Sequence, residues 1–124
     1  MLPAGVHLNA VGAILPANAE LHQDVVARAG CIAVDDVVGV KKASRELIDF
    51  FENGEGIGNW NRVHSLGKMI ADDKRPPSNT DLTMFKSVGM GISDLSVAIL
   101  AYERASKAEV GGSLPLMVAS SLRF

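Results

Sequence analysis

The stretch DLTMFKSVGMGISDLSVAILAYERA, residues 81–105, decides the predicted fold. Its first part, Leu82 to Ser87, predicts a strand, and two glycines then lead into a long helix from Ile92 to about Ala108. Apolar residues occur nearly all round that helix. The pattern therefore predicts a helix that is buried on every side, and a chain this short, with three strands at most, does not readily supply that much cover.

Two more strands are predicted nearer the N-terminus. Val6 to Val11 indicates a short strand, and a helix follows over Leu21 to Ala29 with Asn18 as its N-cap. The run from Cys31 to Asp35 is continuously apolar before its final carboxylate, as in a buried parallel strand. This alternation predicts an α/β fold: a partial Rossmann-like layer of about three mostly parallel strands, flanking helices and a long C-terminal helix.

The middle of the chain predicts two further helices. Ser44 precedes the helical segment RELIDFFEN, which Gly54 closes. A third helix is expected from about Asn61 to Asp72, because Val63, Leu66 and Ile70 would share one face. We expect a single domain over residues 1–124, with residues 109–124 as a tail.

Composition and charge exclude several classes of partner. The chain has 124 residues, 48% of them hydrophobic, and a formal net charge of -2 with scattered Lys and Arg, so we expect neither nucleic-acid nor membrane binding. Its single cysteine, Cys31, cannot form an intramolecular disulfide. The N-terminus lacks the features of a signal peptide, and no apolar run approaches the roughly 18 residues of a membrane span. These features predict a cytoplasmic protein.

Three segments together resemble, in order and spacing, the C-terminal part of the ornithine cyclodeaminase/mu-crystallin family. They are LNAVGAILPANAELHQDVVARA, CIAVDD and HSLGKMIADDKRPPSNTDLTMFKSVGMGISDLSVAILAYERA, and the portion TMFKSVGMGISD is most similar to the mu-crystallin branch. The resemblance covers about residues 3–108. It implies a Rossmann domain that binds NAD(H) or NADP(H), and an N-terminal domain that supplies dimerisation and much of the substrate site. It also implies a C-terminal helix that packs on that N-terminal domain.

The resemblance also implies that parts of the family's site are missing from these 124 residues. The glycine-rich GxGxxG turn, the ribose-binding residue after it and the basic residues that hold the substrate carboxylate all precede Met1 in the family. The segment NGEGIGN, residues 53–59, follows a predicted helix rather than a strand, so it predicts an interhelical loop.

Two functional hypotheses follow from these missing parts. In the first, the chain is a fragment or truncated homologue of an NAD(P)-dependent cyclodeaminase or ketimine reductase, inactive alone and without a tightly bound cofactor. In the second, it is a self-standing binding or assembly module that closes its sheet edge and apolar helix by oligomerising. We expect a homo-oligomer, most simply a dimer, and a second chain that supplies the missing N-terminal part is a further candidate partner.

The resemblance implies four cofactor-binding residues. Val11 and Gly12 correspond to the family's loop at the nicotinamide end of the cofactor, and Ser87 and Val88 correspond to its other side. A glycine permits close backbone approach, and a serine can hydrogen-bond a carboxamide. The alternative is that Gly12 and Gly89 only make turns and that Ser87 caps the following helix.

The substrate side departs from the family at two positions. Ile14 stands where the cyclodeaminase branch has a catalytic aspartate and where ketimine reductases have a small polar residue, and isoleucine cannot transfer a proton. Ile14 therefore argues against ornithine deamination more than against hydride transfer. The family's ESGD stretch is replaced by ASRE, residues 43–46, so Ala43 has lost a substrate-side carboxylate. We predict no catalytic residue within this chain.

The three histidines, His7, His22 and His64, are far apart and lack the spacing of metal ligands, so no metal site is predicted.

Three other charged residues leave alternatives open. Asp35 and Asp36 end a strand where Rossmann sites usually place ligand-binding groups, but they also fit a solvated strand terminus, which we favour. Lys86 is expected to pair with Asp81 or with Asp94, and the sequence does not distinguish them.

Overall fold

The computed structural model describes residues 2–112 and residue 114, which fall into two compact units, Met1–Met90 and Gly91–Phe124. The elements of the first unit are, in chain order, strand β1 (Val6–Ala10), helix α1 (Gln23–Arg28), strand β2 (Ala29–Val34), helix α2 (Val37–Ala43), helix α3 (Arg45–Asn53), a 3-10 turn (Trp60–Arg62), strand β3 (Val63–Ser65), helix α4 (Leu66–Ala71) and strand β4 (Leu82–Lys86). The second unit contains helix α5 (Gly91–Lys107). A single domain over residues 1–124 stays a prediction, and of the predicted tail, 109–124, residues 113 and 115–124 lie outside the described part of the chain.

The four strands of the described residues form one parallel sheet with the order β1-β4-β2-β3. Strand β4 is the last of them in the chain, yet it lies between the first two. Lys86 at its end is in register with Ala10 of β1 on one side and with Val34 of β2 on the other. The predicted α/β fold is therefore confirmed, with one strand more than the three expected.

The additional strand, β3, lies inside the segment predicted as a helix from Asn61 to Asp72. Val63 is buried and pairs with Ile32 of β2, whereas α4 begins only at Leu66. Ser65 marks the boundary, because its hydroxyl accepts a hydrogen bond from the backbone N–H of Lys68 as an N-cap does. The helical spacing of the apolar residues thus spans a strand and a helix, and the prediction of one continuous helix is wrong.

The core lies on one face of the sheet. Alternate strand residues, among them Ile32, Leu82 and Met84, are buried and belong to one cluster with Val26 of α1 and Phe51 of α3. This alternation follows from strand geometry, since successive side chains point to opposite faces. The opposite face is covered in part by α4, and Cys31 there is buried, which raises the pKa of its thiol.

Helices α1 and α2 differ from their predictions. Helix α1 begins at Gln23 rather than Leu21, because Asn18 does not cap it and instead closes a turn through its N–H to the carbonyl of Leu15. Helix α2 was not predicted. Asp36 caps it by accepting a hydrogen bond from the Val38 N–H at 2.9 Å, so Asp36 has a structural role.

Helix α5 forms as predicted, within one residue at each end. Its first turn carries Asp94 and its last turn carries Arg104 and Lys107. The charge of each interacts favourably with the dipole at that end of the helix. None of its residues is buried in the described part of the chain, so what covers its apolar surface stays a prediction. In the described part of the chain, no helix combines the length and apolar character that a membrane span requires.

Replacing Ile32 with alanine tests the placement of the core. Ile32 is fully buried in the central strand β2, so its truncation is expected to lower the free energy of unfolding by about 2–5 kcal/mol in urea titrations followed by circular dichroism. Ile57→Ala is the matched control, because Ile57 is 69% exposed and its truncation should change stability by less than about 0.5 kcal/mol. Equal effects of the two substitutions would contradict this core.

Candidate functional site

The candidate site lies at the carboxyl edge of the sheet, where β1, β4 and β2 end side by side. The registers of Ala10 and Val34 with Lys86 bring the next residue of each strand to the same place. Ser87 continues the pairing, since its N–H donates to the carbonyl of Ala10 at 3.1 Å. Open α/β sheets bind ligands at this edge.

All four residues predicted to contact a cofactor are close to this edge. Val11 and Gly12 follow β1 directly, and Ser87 and Val88 follow β4, its hydrogen-bonded neighbour. Val11 is 57% exposed and Val88 is half-buried. The structure therefore brings the four residues together, while their role toward a cofactor stays a prediction.

Asp35, at the end of β2, ties this edge to the loop after β4. Its carboxylate accepts hydrogen bonds from the Ser87 hydroxyl at 2.6 Å, from the Gly89 N–H at 2.9 Å and from the Val88 N–H at 3.2 Å. Burial alone would raise the pKa of Asp35, but these donors and the Asp36 N–H outweigh it and the pKa is lowered. The prediction that Asp35 is a solvated strand terminus is therefore wrong, because this residue is half-buried and both oxygens of its carboxylate accept hydrogen bonds.

The hydrogen bonds of Ser87 limit what it can offer a ligand. Its hydroxyl donates to Asp35 and accepts from the Gly89 N–H at 3.1 Å. A hydroxyl has one proton and two lone pairs, so Ser87 can only accept a further hydrogen bond, as from the N–H of a carboxamide.

Gly12 is held by Glu20 from the following loop. The Gly12 N–H donates to Glu20 Oε2 at 2.9 Å, and a Cβ at position 12 would lie only 2.7 Å from that oxygen. A larger residue at position 12 would force the Glu20 carboxylate, the end of a flexible side chain, to move away. The Gly12 N–H is already satisfied, so toward a ligand this residue offers only its carbonyl and its small size.

Lys86 is the charged residue whose partners were predicted wrongly from the sequence. Lys86 alternates with Leu82 and Met84 along β4, so its side chain lies on the same face of the sheet as the core and is fully buried. The expected pairing with Asp81 or Asp94 is wrong. Asp81 instead receives two hydrogen bonds from Arg28, at 2.8 and 3.1 Å.

The partners of Lys86 are two carboxylates and a carbonyl. Its ammonium lies 2.6 Å from Glu20 Oε1, 2.8 Å from the carbonyl oxygen of Ala13 and 3.0 Å from Glu46 Oε1. Burial by itself would raise the pKa of Glu20, but the hydrogen bonds from Lys86 and from the loop N–H groups outweigh it and the pKa is lowered. The alternation of Leu82, Met84 and Lys86 is the sequence signal that predicts a buried lysine.

The two substrate-side residues both have apolar side chains. Ile14 is 52% exposed in the loop after β1, and Ala43 is half-buried at the last position of α2. Neither can donate or accept a proton. Their contribution to substrate binding stays a prediction.

The other sequence candidates lie apart from this edge or have local roles. His7 Nδ1 is 2.8 Å from the Thr83 hydroxyl, and within residues 2–112 no group of three or more His, Cys, Asp or Glu side chains is arranged to hold a metal ion. In the segment 53–59, the N–H groups of Gly56 and Gly58 donate to the carbonyls of Phe50 and Phe51. That segment therefore closes α3 and does not follow a strand.

A hollow of about 380 Å³ lies on the face that α4 partly covers, lined by Cys31, Met69 and Thr83 among others. Its lining comes from α4, from residues 73–76 after it, and from strand residues that precede the last residue of each strand. It is therefore separate from the candidate site.

The lowered pKa of Asp35 predicts how acid weakens the fold. A carboxyl whose pKa is depressed on folding stabilises the native state above its unfolded pKa, and that contribution is lost as pH falls through the folded pKa. The difference in unfolding free energy between the wild type and Asp35→Asn should therefore be constant above about pH 5 and shrink as pH falls below the ordinary value of 3.8. Denaturant titrations at several pH values measure it, and a difference independent of pH would contradict the bound carboxylate.

Comparison with known proteins gives the family. The profile of the ornithine cyclodeaminase/mu-crystallin family matches residues 1–109. The Δ1-pyrroline-2-carboxylate reductase of Bacillus cereus (strain ATCC 14579) is 34% identical over 116 residues, which are 92% of this chain and 35% of that enzyme. The chain thus spans about a third of the length of this relative.

Two solved structures share the fold at similar identity. Δ1-Pyrroline-2-carboxylate reductase of Thermococcus litoralis, in complex with NADH and L-proline, superposes with a TM-score of 0.74 at 32% identity, covering 91% of this chain and 35% of the other. An archaeal alanine dehydrogenase dimer with bound NAD gives 0.71 at 31% identity, covering 94% and 36%. The family profile, the sequence identity and the fold agree: the chain belongs to the ornithine cyclodeaminase/mu-crystallin family.

Proposed function

We propose that residues 1–124 form the nicotinamide-facing part of the cofactor domain of an NAD(P)-dependent reductase, and that this chain alone does not turn over substrate. The observation that carries the proposal is the meeting of Val11–Gly12 with Ser87–Val88 at the carboxyl edge of a parallel sheet. Relatives with the same fold were solved with NADH or NAD bound.

The residues at this edge suit the nicotinamide end of the cofactor. Gly12 has no side chain to obstruct close approach of a ligand, and Val11 and Val88 supply apolar surface for a ring. Ser87 accepts a hydrogen bond from the carboxamide. When bound, the cofactor supplies a hydride, and the role of these residues is to bind and orient its ring.

The same residues do not fit the pyrophosphate end of the cofactor. Dinucleotide pyrophosphates bind at a glycine-rich turn between a strand and a helix N-terminus. The chain has no GxGxxG sequence, and its segment 53–59 closes a helix. The anchoring part of the site must therefore come from residues outside these 124 or from another chain.

Reduction fits the substrate side better than deamination does. Ile14 occupies the position that the resemblance assigns to a catalytic aspartate in cyclodeaminases, and it has no group that could assist water or proton transfer. Hydride transfer to a carbon–nitrogen double bond does not need a carboxylate there. The substrate class that we propose is a cyclic ketimine carboxylate.

The compartment that we propose is the cytoplasm, because the free thiol of the buried Cys31 suits a reducing environment.

A second candidate function, an oligomeric assembly module, is favoured by helix α5. Its large apolar residues are about half exposed or more, namely Ile92, Leu95, Val97, Ile99, Leu100 and Tyr102. Leaving such side chains in water costs about 1.5–3 kcal/mol each relative to burial. We propose that a second copy of the chain covers part of this surface, most simply in a symmetric dimer.

Activity assays test the main proposal. Residues 1–124 alone should give no oxidation of NADH or NADPH with Δ1-pyrroline-2-carboxylate and no ammonia from ornithine, because the cofactor is not anchored. Turnover clearly above a buffer control would contradict the proposal.

Cofactor titration tests the assignment of the edge residues. NADH should bind in the millimolar range or more weakly, and Ser87→Ala should remove the shifts that NADH induces in amide resonances of residues 11, 12 and 88. Ser106→Ala is the control, because Ser106 lies in α5 and should leave those shifts unchanged. Micromolar affinity by calorimetry would show that another site anchors the cofactor.

Sedimentation tests the dimer. Leu100→Glu should raise the dimer dissociation constant at least tenfold while the circular dichroism of the protomer is unchanged, since the charge is placed on an exposed apolar surface. Lys107→Glu, an exposed change near the end of the same helix, is the control and should have a smaller effect. A wild-type chain that stays monomeric at millimolar concentration would rule out the dimer.

A further inference from the structure

Beneath the loop after β1 lies a buried ion cluster that no part of the proposed reaction uses. We name it the Lys86 clasp and define it as Lys86, Glu20, Glu46 and the backbone groups Gly12 N–H and Ala13 C=O. Lys86 and Glu46 are fully buried, and the side chain of Glu20 is 26% exposed. The clasp thus joins the end of β4, the loop after β1 and the first turn of α3.

Stability does not explain the clasp. Desolvating charges costs several kcal/mol per ion, and replacing a buried ion pair with apolar residues of similar volume is often neutral or stabilising. Glu46 Oε1 forms an ion pair with Lys86 but no hydrogen bond of good geometry, and Glu46 Oε2 and the hydroxyl of Ser44 lack a hydrogen-bond partner among the described residues, which adds to the cost. Two carboxylates against one ammonium leave the cluster without charge balance.

The clasp does explain how the loop after β1 is held. Gly12 N–H donates to Glu20 Oε2, Glu20 Oε1 contacts Lys86, and Lys86 donates back to the Ala13 carbonyl. These contacts form a closed ring that fixes the backbone of two consecutive residues, Gly12 and Ala13. Among residues 11–15 only the small side chain of Ala13 is buried, whereas those of Val11, Ile14 and Leu15 are more than half exposed, so burial contributes little to the order of the loop.

We propose that Lys86 and Glu20 are positioning residues, which hold residues 11–15 in one conformation before any ligand arrives. The function of this loop as the nicotinamide-facing segment rests on the proposed function, whereas the clasp itself does not. Through Glu46 the same ammonium reaches the α2–α3 junction that begins at Ala43. The clasp therefore fixes the cofactor side and the substrate side of the edge relative to each other.

The decisive variant is the double substitution Lys86→Met/Glu46→Met. It removes both fully buried charges at similar volume and leaves Glu20 in place, so the thermal midpoint should change little. If Lys86 positions the loop through Glu20, hydrogen exchange of the Gly12 amide should become roughly tenfold faster, the factor expected for a lost hydrogen bond. NMR relaxation should also show residues 11–15 gaining motion.

Two further variants keep the test interpretable. Glu20→Ala changes a partly exposed residue and leaves Lys86 paired with Glu46, so it should fold and accelerate Gly12 exchange at least as much. Arg28→Gln breaks the ion pair with Asp81, so it should lower the thermal midpoint without changing Gly12 exchange. None of these measurements requires a cofactor, so failure of cofactor binding would not affect them. Gly12 exchange and loop relaxation that stay at wild-type values in both clasp variants would overturn the proposal.

Discussion

The insertion of β4 between β1 and β2 is the constraint on which the rest of this structure depends. It aligns Ala10, Lys86 and Val34 in one row, so the segments after these residues leave the sheet side by side. The ion cluster under the loop and the carboxylate bound by the β4 loop both need this alignment. Because β1 and β4 are more than 70 residues apart in the chain, the contacts of Lys86, and those of Asp35 with the β4 loop, form only once β4 is in place.

The sequence predicted the elements whose patterns have one interpretation. A continuous apolar run identified β2, the predicted strands Val6 to Val11 and Leu82 to Ser87 match β1 and β4 within one residue, and the segment between Ser44 and Gly54 identified α3 to the residue. Strand β3 was missed because three residues are too short to show a period of two, and Val63 also fitted a helical period. Helix α2 was missed because no glycine or proline marks its end: α3 begins only two residues after its last residue, Ala43.

The candidate site was predictable from family resemblance in its location and not in its contacts. Val11, Gly12, Ser87 and Val88 do meet at one edge. The partners of Lys86, by contrast, depend on which face of β4 it occupies and on the loop that carries Glu20, 66 residues away in sequence. Side-chain pairings over such separations are set by the fold, and no local pattern in a single sequence encodes them.

The sheet also has an edge, strand β1, that residues 2–112 leave unpaired on its outer side. Among the described residues β1 pairs only with β4, and Val6 and Leu8 on it are half-buried. Proteins usually cover or pair such an edge, because its unpaired backbone groups otherwise recruit other strands. A further strand from outside residues 1–124, or from a second copy, would satisfy it.

The proposed function as a reductase would require a proton as well as a hydride. Reducing a carbon–nitrogen double bond needs a hydride on carbon and a proton on nitrogen. Lys86 has its ammonium directed at Ala13, Glu20 and Glu46, and Asp35 is held as an acceptor by its donors. At the ends of β1, β4 and β2, then, the charged groups are used to fix the backbone, and none is free to deliver a proton. Under the proposed function, that proton would be supplied by water or by residues away from this edge, and the edge itself would orient the nicotinamide ring and the substrate.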